Sequence, residues 1–362
     1  LEKIYRYWLS NIEGLGAVSI AKLLAHFGSG YQIFLATEDE FNHLLPKKVK
    51  NCLLESKLNF NYYIDSYHKL QEEGIRFITP MDEDYPENLK NIYNPPQGLY
   101  IKGHLIKKKV PMVAIVGARN CTYYGKDLAK SIAKSLAEIG VTVVSGLASG
   151  IDAQAHIGAL EASGVTYGVL GNGVNVCYPR ENSRIYQNIL TKGCLISEFP
   201  VDSPPLALHF PQRNRIISGL ADVILVVEAR LKSGSLITAD LALEQGKDVF
   251  AIPGRVHDSL SEGCNSLIKQ GAGIYTEIND LLELFHLDTK ETTKLSCNQK
   301  LGLAFEEEKV YSELGLCSLA LSEIVEKSGL DTANVMKILI KLEKKGLVKQ
   351  TEKNFYMRSI KV

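Results

Sequence analysis

Residues 112–171 read MVAIVGARNCTYYGKDLAKSIAKSLAEIGVTVVSGLASGIDAQAHIGALEASGVTYGVLG. Three short runs in this stretch, 112–117, 141–145 and 166–170, are almost wholly apolar, and helical patterns at 124–139 and 152–163 separate them. A strand with one wet face alternates polar and apolar residues. A strand apolar throughout is covered on both faces, as in a parallel sheet. The alternation continues downstream, with strands expected at 194–198, 223–228 and 248–252 and helices at 181–192, 212–220 and 235–246. About six such units predict an α/β fold with a Rossmann-like, doubly wound, mostly parallel sheet. Residues 263–284 add a helix, a short strand at 274–276 and a closing helix.

The flanks read differently. Residues 1–80 are expected to form a small helical module. Tyr5 to Leu9 is apolar, the stretch Ile12-Glu13-Gly14-Leu15-Gly16 breaks the pattern, and Val18, Ala21, Leu24 and Ala25 resume it until Gly28 stops the helix. The helix–Gly-x-Gly–helix pattern is that of a helix-hairpin-helix, but no Lys or Arg lies in the hairpin, which favours a plain packing module. Residues 84–103, rich in Pro, Tyr and Asn, lack periodicity and read as a connector into a domain over 81–285. Residues 286–305 read as a linker. Within 306–362, Val310 and Leu314 mark one helix and Leu321, Ile324 and Val325 a second. Val335, Ile338, Leu339 and Leu342 mark a third, and a hairpin follows. That is the winged-helix pattern. From Asp331 onward there are eight Lys or Arg and three Asp or Glu.

The whole chain of 362 residues balances 41 basic against 41 acidic side chains, which argues against a tail-driven polyanion binder but permits a local basic groove. No apolar run approaches the ~20 residues of a membrane span. The first residues lack the basic flank and apolar stretch of a signal peptide. Seven cysteines stand at 52, 121, 177, 194, 264, 297 and 317 with no CxxC, and the eight histidines include no HExxH. Free thiols in a reducing cytosol, and no metal, are expected.

Glycine marks the chemically interesting region, with 18 of 29 glycines between Gly117 and Gly273. After the first strand comes Gly117-Ala118-Arg119, neither a P-loop nor GxGxxG, with an arginine suited to a phosphate or carboxylate or to an internal ion pair. After the second comes Gly146-Leu147-Ala148-Ser149-Gly150-Ile151-Asp152, a turn in which Asp152 occupies an N-cap place and the helix amides near Gly150 can face an anion, so that Gly146 and Gly150 are expected among the phosphate-binding residues. The fourth junction runs to Phe210-Pro211-Gln212-Arg213-Asn214-Arg215, an aromatic beside two arginines, of which at least one is expected to be structural. The fifth is Lys232-Ser233-Gly234-Ser235, small residues and an ammonium at a helix start, a good phosphate cradle. An open α/β sheet gathers such loops on one rim. Aromatic rings with arginines and anion cradles are what single-stranded nucleic acid needs. Glu198 and Glu228 end strands, where carboxylates more often pin loops than catalyse. No GxSxG elbow, Cys–His set or ribose-binding acid accompanies them.

The blocks GARNCTYYG, SGLASGIDAQAH, GNGVNVCYPREN, SEFP, FPQRNRIISGLADVILVVEA, KSGSLITADLALEQGKDVFAIPG and GCNSLIKQGA resemble successive motifs of the DprA/Smf family, and YPENL and PPQGLYIKG resemble that family's entry into its Rossmann-like domain. The resemblance covers about residues 80–285. It implies a cytoplasmic, non-enzymatic protein without cofactor. Such a protein binds and shields single-stranded DNA, loads RecA recombinase in natural transformation, and is a homodimer through the Rossmann-like domain. It also implies a sterile-alpha-motif-like or helix-hairpin-helix module before that domain and a winged helix after it. Carried over by motif, the DNA contacts fall on Arg119, on Arg213 and Asn214, and on Lys232 to Ser235. Asn172 stands where many members have Thr, which puts little in doubt. Two rivals remain. A phosphoribohydrolase-like nucleotide-processing enzyme would carry PGGxGTxxE, but Pro253-Gly254-Arg255 has no GTxxE after it. A winged-helix transcription regulator would bind duplex DNA tightly through its C-terminal unit.

Overall fold

The computed structural model describes residues 1–106, 110–285, 303–315 and 318–359. The predicted parallel core is present: β3 (Met112–Val116), β4 (Thr142–Ser145), β5 (Thr166–Leu170), β6 (Cys194–Ser197), β7 (Val223–Val226), β8 (Asp248–Ala251) and β9 (Gly273–Ile274) pair in the order β6-β5-β4-β3-β7-β8-β9, all parallel. Two further strands extend it beyond β6: β2 (Leu99–Gly103), antiparallel to β6, and β1 (Ile75–Ile78), antiparallel to β2. The sheet therefore begins inside the segment expected to be all helical, and the expected connector carries β2. Each of these two added strands is too short to show a period of two against its helical or proline-rich surroundings.

Strand residues alternate between two apolar cores. Val113, Ile115, Val143 and Leu225 meet the helices Tyr123–Glu138 and Ile151–Glu161 on one face. Ala114, Val116, Val169 and Val226 meet the helices His209–Leu220 and Gly234–Glu244 on the other. The chain winds from β3 towards β6 and then crosses back to β7, next to β3. Loops leaving β3 and β7 turn to opposite faces, which opens a crevice at the carboxyl rim.

The N-terminal helices Glu2–Ser10, Ala17–Phe27, Gly30–Leu35, Lys47–Leu58 and Phe60–Glu72 close over Trp8, Leu9, Ile33, Phe41 and Leu53. In Ala17–Phe27 the buried residues are Ile20 and Leu23, whereas Val18 is exposed. The run AVSIAKLLA carries two overlapping apolar stripes, and packing chose the other one. Tyr7, Phe77 and Tyr100 join these helices to the sheet edge, and Asn11 donates to the Tyr100 hydroxyl at 2.8 Å.

The C-terminal unit is winged-helix-like. Helices Phe305–Glu313, Leu321–Ser328 and Thr332–Lys344 pack around Val310, Ile324, Val335, Leu339 and Leu342. A small antiparallel sheet joins them, made of β10 (Leu319–Ala320), β11 (Val348–Glu352) and β12 (Phe355–Arg358) in the order β10-β12-β11. Most of the expected linker lies outside the described residues. So do Cys297 and Cys317; Cys52, Cys121, Cys177, Cys194 and Cys264 are free thiols. Among the described residues no helix is long and apolar enough to cross a membrane.

Candidate nucleic-acid interface

The carboxyl-end loops of β3 to β7 enclose a cleft of about 540 Å³. Its floor depends on close backbone approach. A Cβ on Gly146 would lie 2.7 Å from the Asp152 carboxylate and 2.8 Å from both terminal nitrogens of Arg213. Gly150 has φ +79°, and a Cβ there would meet the Arg119 carbonyl at 2.3 Å. Gly146 and Gly150 thus lie beneath the cleft and let the loops after β3 and β4 close together. Gly117 reaches the cleft itself, packed against Ile151.

The floor itself includes a buried polar group. Arg213, 4% exposed, donates from one terminal nitrogen to the carbonyls of Gly146 (2.8 Å) and Val169, and its Nε donates to Asn214 Oδ1 at 3.3 Å. Burial lowers its pKa to about 10, against the pull of Asp152. Asp152 does not cap its helix, since Gly150 holds the N-cap place. The carboxylate turns back to accept from the Gly146 N–H at 3.1 Å. Burial raises its pKa and Arg213 opposes the rise.

The walls carry the groups open to a ligand. Phe210 is half-buried against Gly171, with the Tyr178 ring 5.8 Å away. The Arg119 guanidinium lies 5.4 Å from the Phe210 centroid, and that of Arg213 lies 5.9 Å from it. Arg119 is exposed and makes no hydrogen bond or ion pair among the described residues; the same holds for Lys232, which lines the same cleft. The Ser233 hydroxyl caps helix Gly234–Glu244, Ser235 bonds it at 2.7 Å, and nothing stands within 4 Å of where a Gly234 Cβ would be. Asn214 donates to the Gly234 carbonyl at 3.2 Å and so ties this loop to helix His209–Leu220.

Of the twelve residues expected from sequence, nine line the cleft: Gly117, Arg119, Phe210, Arg213, Asn214 and Lys232 to Ser235. Arg215 does not. Its guanidinium points away and takes both oxygens of Glu198 at 2.8 Å, a matching acid that the loop motifs alone do not reveal. Glu228 also pins a loop. It is buried and accepts from the N–H and hydroxyl of Thr122, and Thr122 in turn caps helix Tyr123–Glu138 through Gly125 N at 2.9 Å. Sequence reasoning missed Tyr178, Pro205 and Ala207 as lining residues. The aromatic in Cys177-Tyr178-Pro179 was the available signal. Among the described residues no three His, Cys, Asp or Glu side chains are grouped to hold a metal ion.

Residues 298–360 match the family described as sugar-specific transcriptional regulator TrmB. The chain is 40% identical to Protein Smf of Escherichia coli over 287 residues, 77% of this chain and 76% of that protein. It is 43% identical to the DNA processing protein DprA of Streptococcus pneumoniae over 226 residues, 62% of this chain and 79% of that one. The X-ray structure of the Streptococcus pneumoniae protein superposes with a TM-score of 0.68 at 35% identity, covering 78% of this chain and 97% of that one. A Helicobacter pylori DNA processing protein A, described for its single-stranded DNA binding mode, superposes with a TM-score of 0.53 at 31% identity, covering 58% and 95%. Residues 76–286, which hold the whole sheet rim except the first residue of β1, match the family described as DNA recombination-mediator protein A, and the chain belongs to that family.

Proposed function

We infer that this chain binds single-stranded DNA in the rim cleft and hands it to RecA recombinase during transformation and recombination. It acts as a cytoplasmic homodimer and catalyses no reaction of its own. One observation carries the DNA part: two cations without partners among the described residues, Arg119 and Lys232, line one cleft together with the half-buried Phe210 ring. Phosphates take the cations and the helix start at Ser233 to Ser235, and a base takes the ring. Family membership and the Helicobacter pylori relative support the same reading. RecA loading and dimerisation rest on the family resemblance. The strand-end carboxylates Glu198 and Glu228 support the absence of catalysis, because both are engaged in holding loops.

A gel shift with single- and double-stranded oligonucleotides of equal length at two salt concentrations tests the reading. Single strands bind several-fold tighter, with little sequence preference. Equal affinity for both forms at both salts would overturn it.

A further inference from the structure

Helix Thr332–Lys344 turns Val335, Ile338, Leu339 and Leu342 into the core of the C-terminal unit. Its opposite face carries Met336, Lys337, Ile340, Lys341 and Lys344, all exposed. At 3.6 residues per turn, Lys337, Lys341 and Lys344 fall within an arc of about 60° and span about 10 Å of the axis. None of the three makes a hydrogen bond or ion pair among the described residues. The neighbouring Lys345 and Lys349 are engaged by Glu307 at 2.6 Å and Asp127 at 3.1 Å. A further exposed lysine, Lys353, sits at the turn between β11 and β12.

Three adjacent ammoniums repel one another unless an anion lies across them. Met336 and Ile340 adjoin them as a short apolar strip. Two side chains fall far below the roughly 800 Å² per partner of a stable protein interface. A single strand offers no rigid groove to a helix, and this helix face has no aromatic ring for a base to stack on. A duplex fits both parts of the face. Its major groove, about 12 Å wide, admits one helix, its rims are phosphate, and its floor presents base edges and thymine methyls. We propose that this face is a duplex-DNA site, distinct from the rim cleft, so that the chain grips a single-strand/duplex junction at both of its parts. The junction half rests on the single-strand reading above. The duplex half stands without it. The two sites lie on one chain, so duplex bound at one raises the effective concentration of the attached single strand at the other.

The test uses the full chain and a triple variant, Lys337→Glu, Lys341→Glu and Lys344→Glu. The probes are a blunt duplex, a single strand of equal length, and the same duplex with a single-stranded tail. The variant loses tenfold or more of its duplex affinity, and its log–log salt slope on duplex falls by about 0.9 for each phosphate no longer neutralised. It keeps single-strand affinity, and its advantage for tailed over untailed single strand disappears. Unchanged duplex affinity and slope would overturn the proposal. So would equal losses on all three probes, or an unchanged duplex interaction with lost RecA co-elution, which would mark a protein-binding face. If the variant melts lower than the parent, Lys337→Gln with Lys341→Gln replaces it under the same criteria. Weak single-strand binding with a lysine-dependent duplex interaction would refute the cleft reading and leave the duplex site standing.

Discussion

Arg119 and Arg213 share one aromatic ring and have opposite fates, and burial decides which. Arg213 is surrounded, and its guanidinium is spent on the Gly146 and Val169 carbonyls. Arg119 is exposed and unpaired among the described residues. Arg119→Ala or Lys232→Ala therefore lowers single-strand affinity by roughly 1.5–3 kcal/mol, the value of one charge-assisted hydrogen bond. The log–log salt slope falls by about 0.7 and the melting temperature stays put. Anisotropy titrations at several salts, beside a thermal melt, check this. A lowered melting temperature with an unchanged slope would make Arg119 structural. His156 offers a different test. Thr166 donates its hydroxyl proton to Val143 O at 2.8 Å, so the 2.7 Å bond to His156 is donated by Nδ1–H, and Nε2 is left buried without a partner among the described residues. Burial, with help from Arg213, lowers the His156 pKa to about 3, against ~6.5 unfolded. Below pH ~6.5 the unfolded chain takes a proton that the folded one refuses. This contribution is complete above that pH and drains away as pH falls towards the folded pKa, by up to ~1.4 kcal/mol per unit. Urea titrations at pH 6.5 and 5 should differ by about 1.6 kcal/mol from this group. His156→Gln should shrink that pH dependence, and equal dependence in both proteins would refute the assignment.

At the scale of elements, Thr122 shows how a helix start and a loop are held by one side chain. It caps helix Tyr123–Glu138 and also holds the buried Glu228. Thr122→Ala removes the cap, worth about 1–2 kcal/mol, and takes a partner from a buried carboxylate. Thr122→Ser keeps the oxygen and recovers most of the loss. Denaturant midpoints of both variants test it, and an Ala variant as stable as the parent would show that the cap is dispensable. The central strands were legible because each is apolar on both faces, and the helices between them because each has one apolar stripe long enough to repeat. β1 and β2 were not legible, being four and five residues long beside a helix and a Pro-rich turn. The buried face of Ala17–Phe27 was not legible for the opposite reason: the helix holds more apolar residues than the core could use.

For the whole molecule, both apolar cores flanking the sheet draw only on residues up to Phe285, so the C-terminal unit is not needed to complete them. A chain ending at Phe285 should therefore keep single-strand affinity to within tenfold, about 1.4 kcal/mol. A larger loss in a truncation that stays folded would place the C-terminal unit at the centre of single-strand binding. Local pattern was enough to specify the order of strands and helices from β3 to β9, the rim on which the loops gather, and the residue types that meet there. These follow from periodicity and from the handedness of parallel crossovers, which are properties of neighbouring residues. Whether a cation on that rim is spent or free was settled only when distant segments met. Arg213 found carbonyls 67 and 44 positions away, and Arg215 found Glu198 across a loop. Arg119, three residues past its strand, met an aromatic ring and, among the described residues, no hydrogen-bond or ionic partner. An arginine's role depends on what lies within a few ångströms of its guanidinium, and no one-dimensional pattern records that distance.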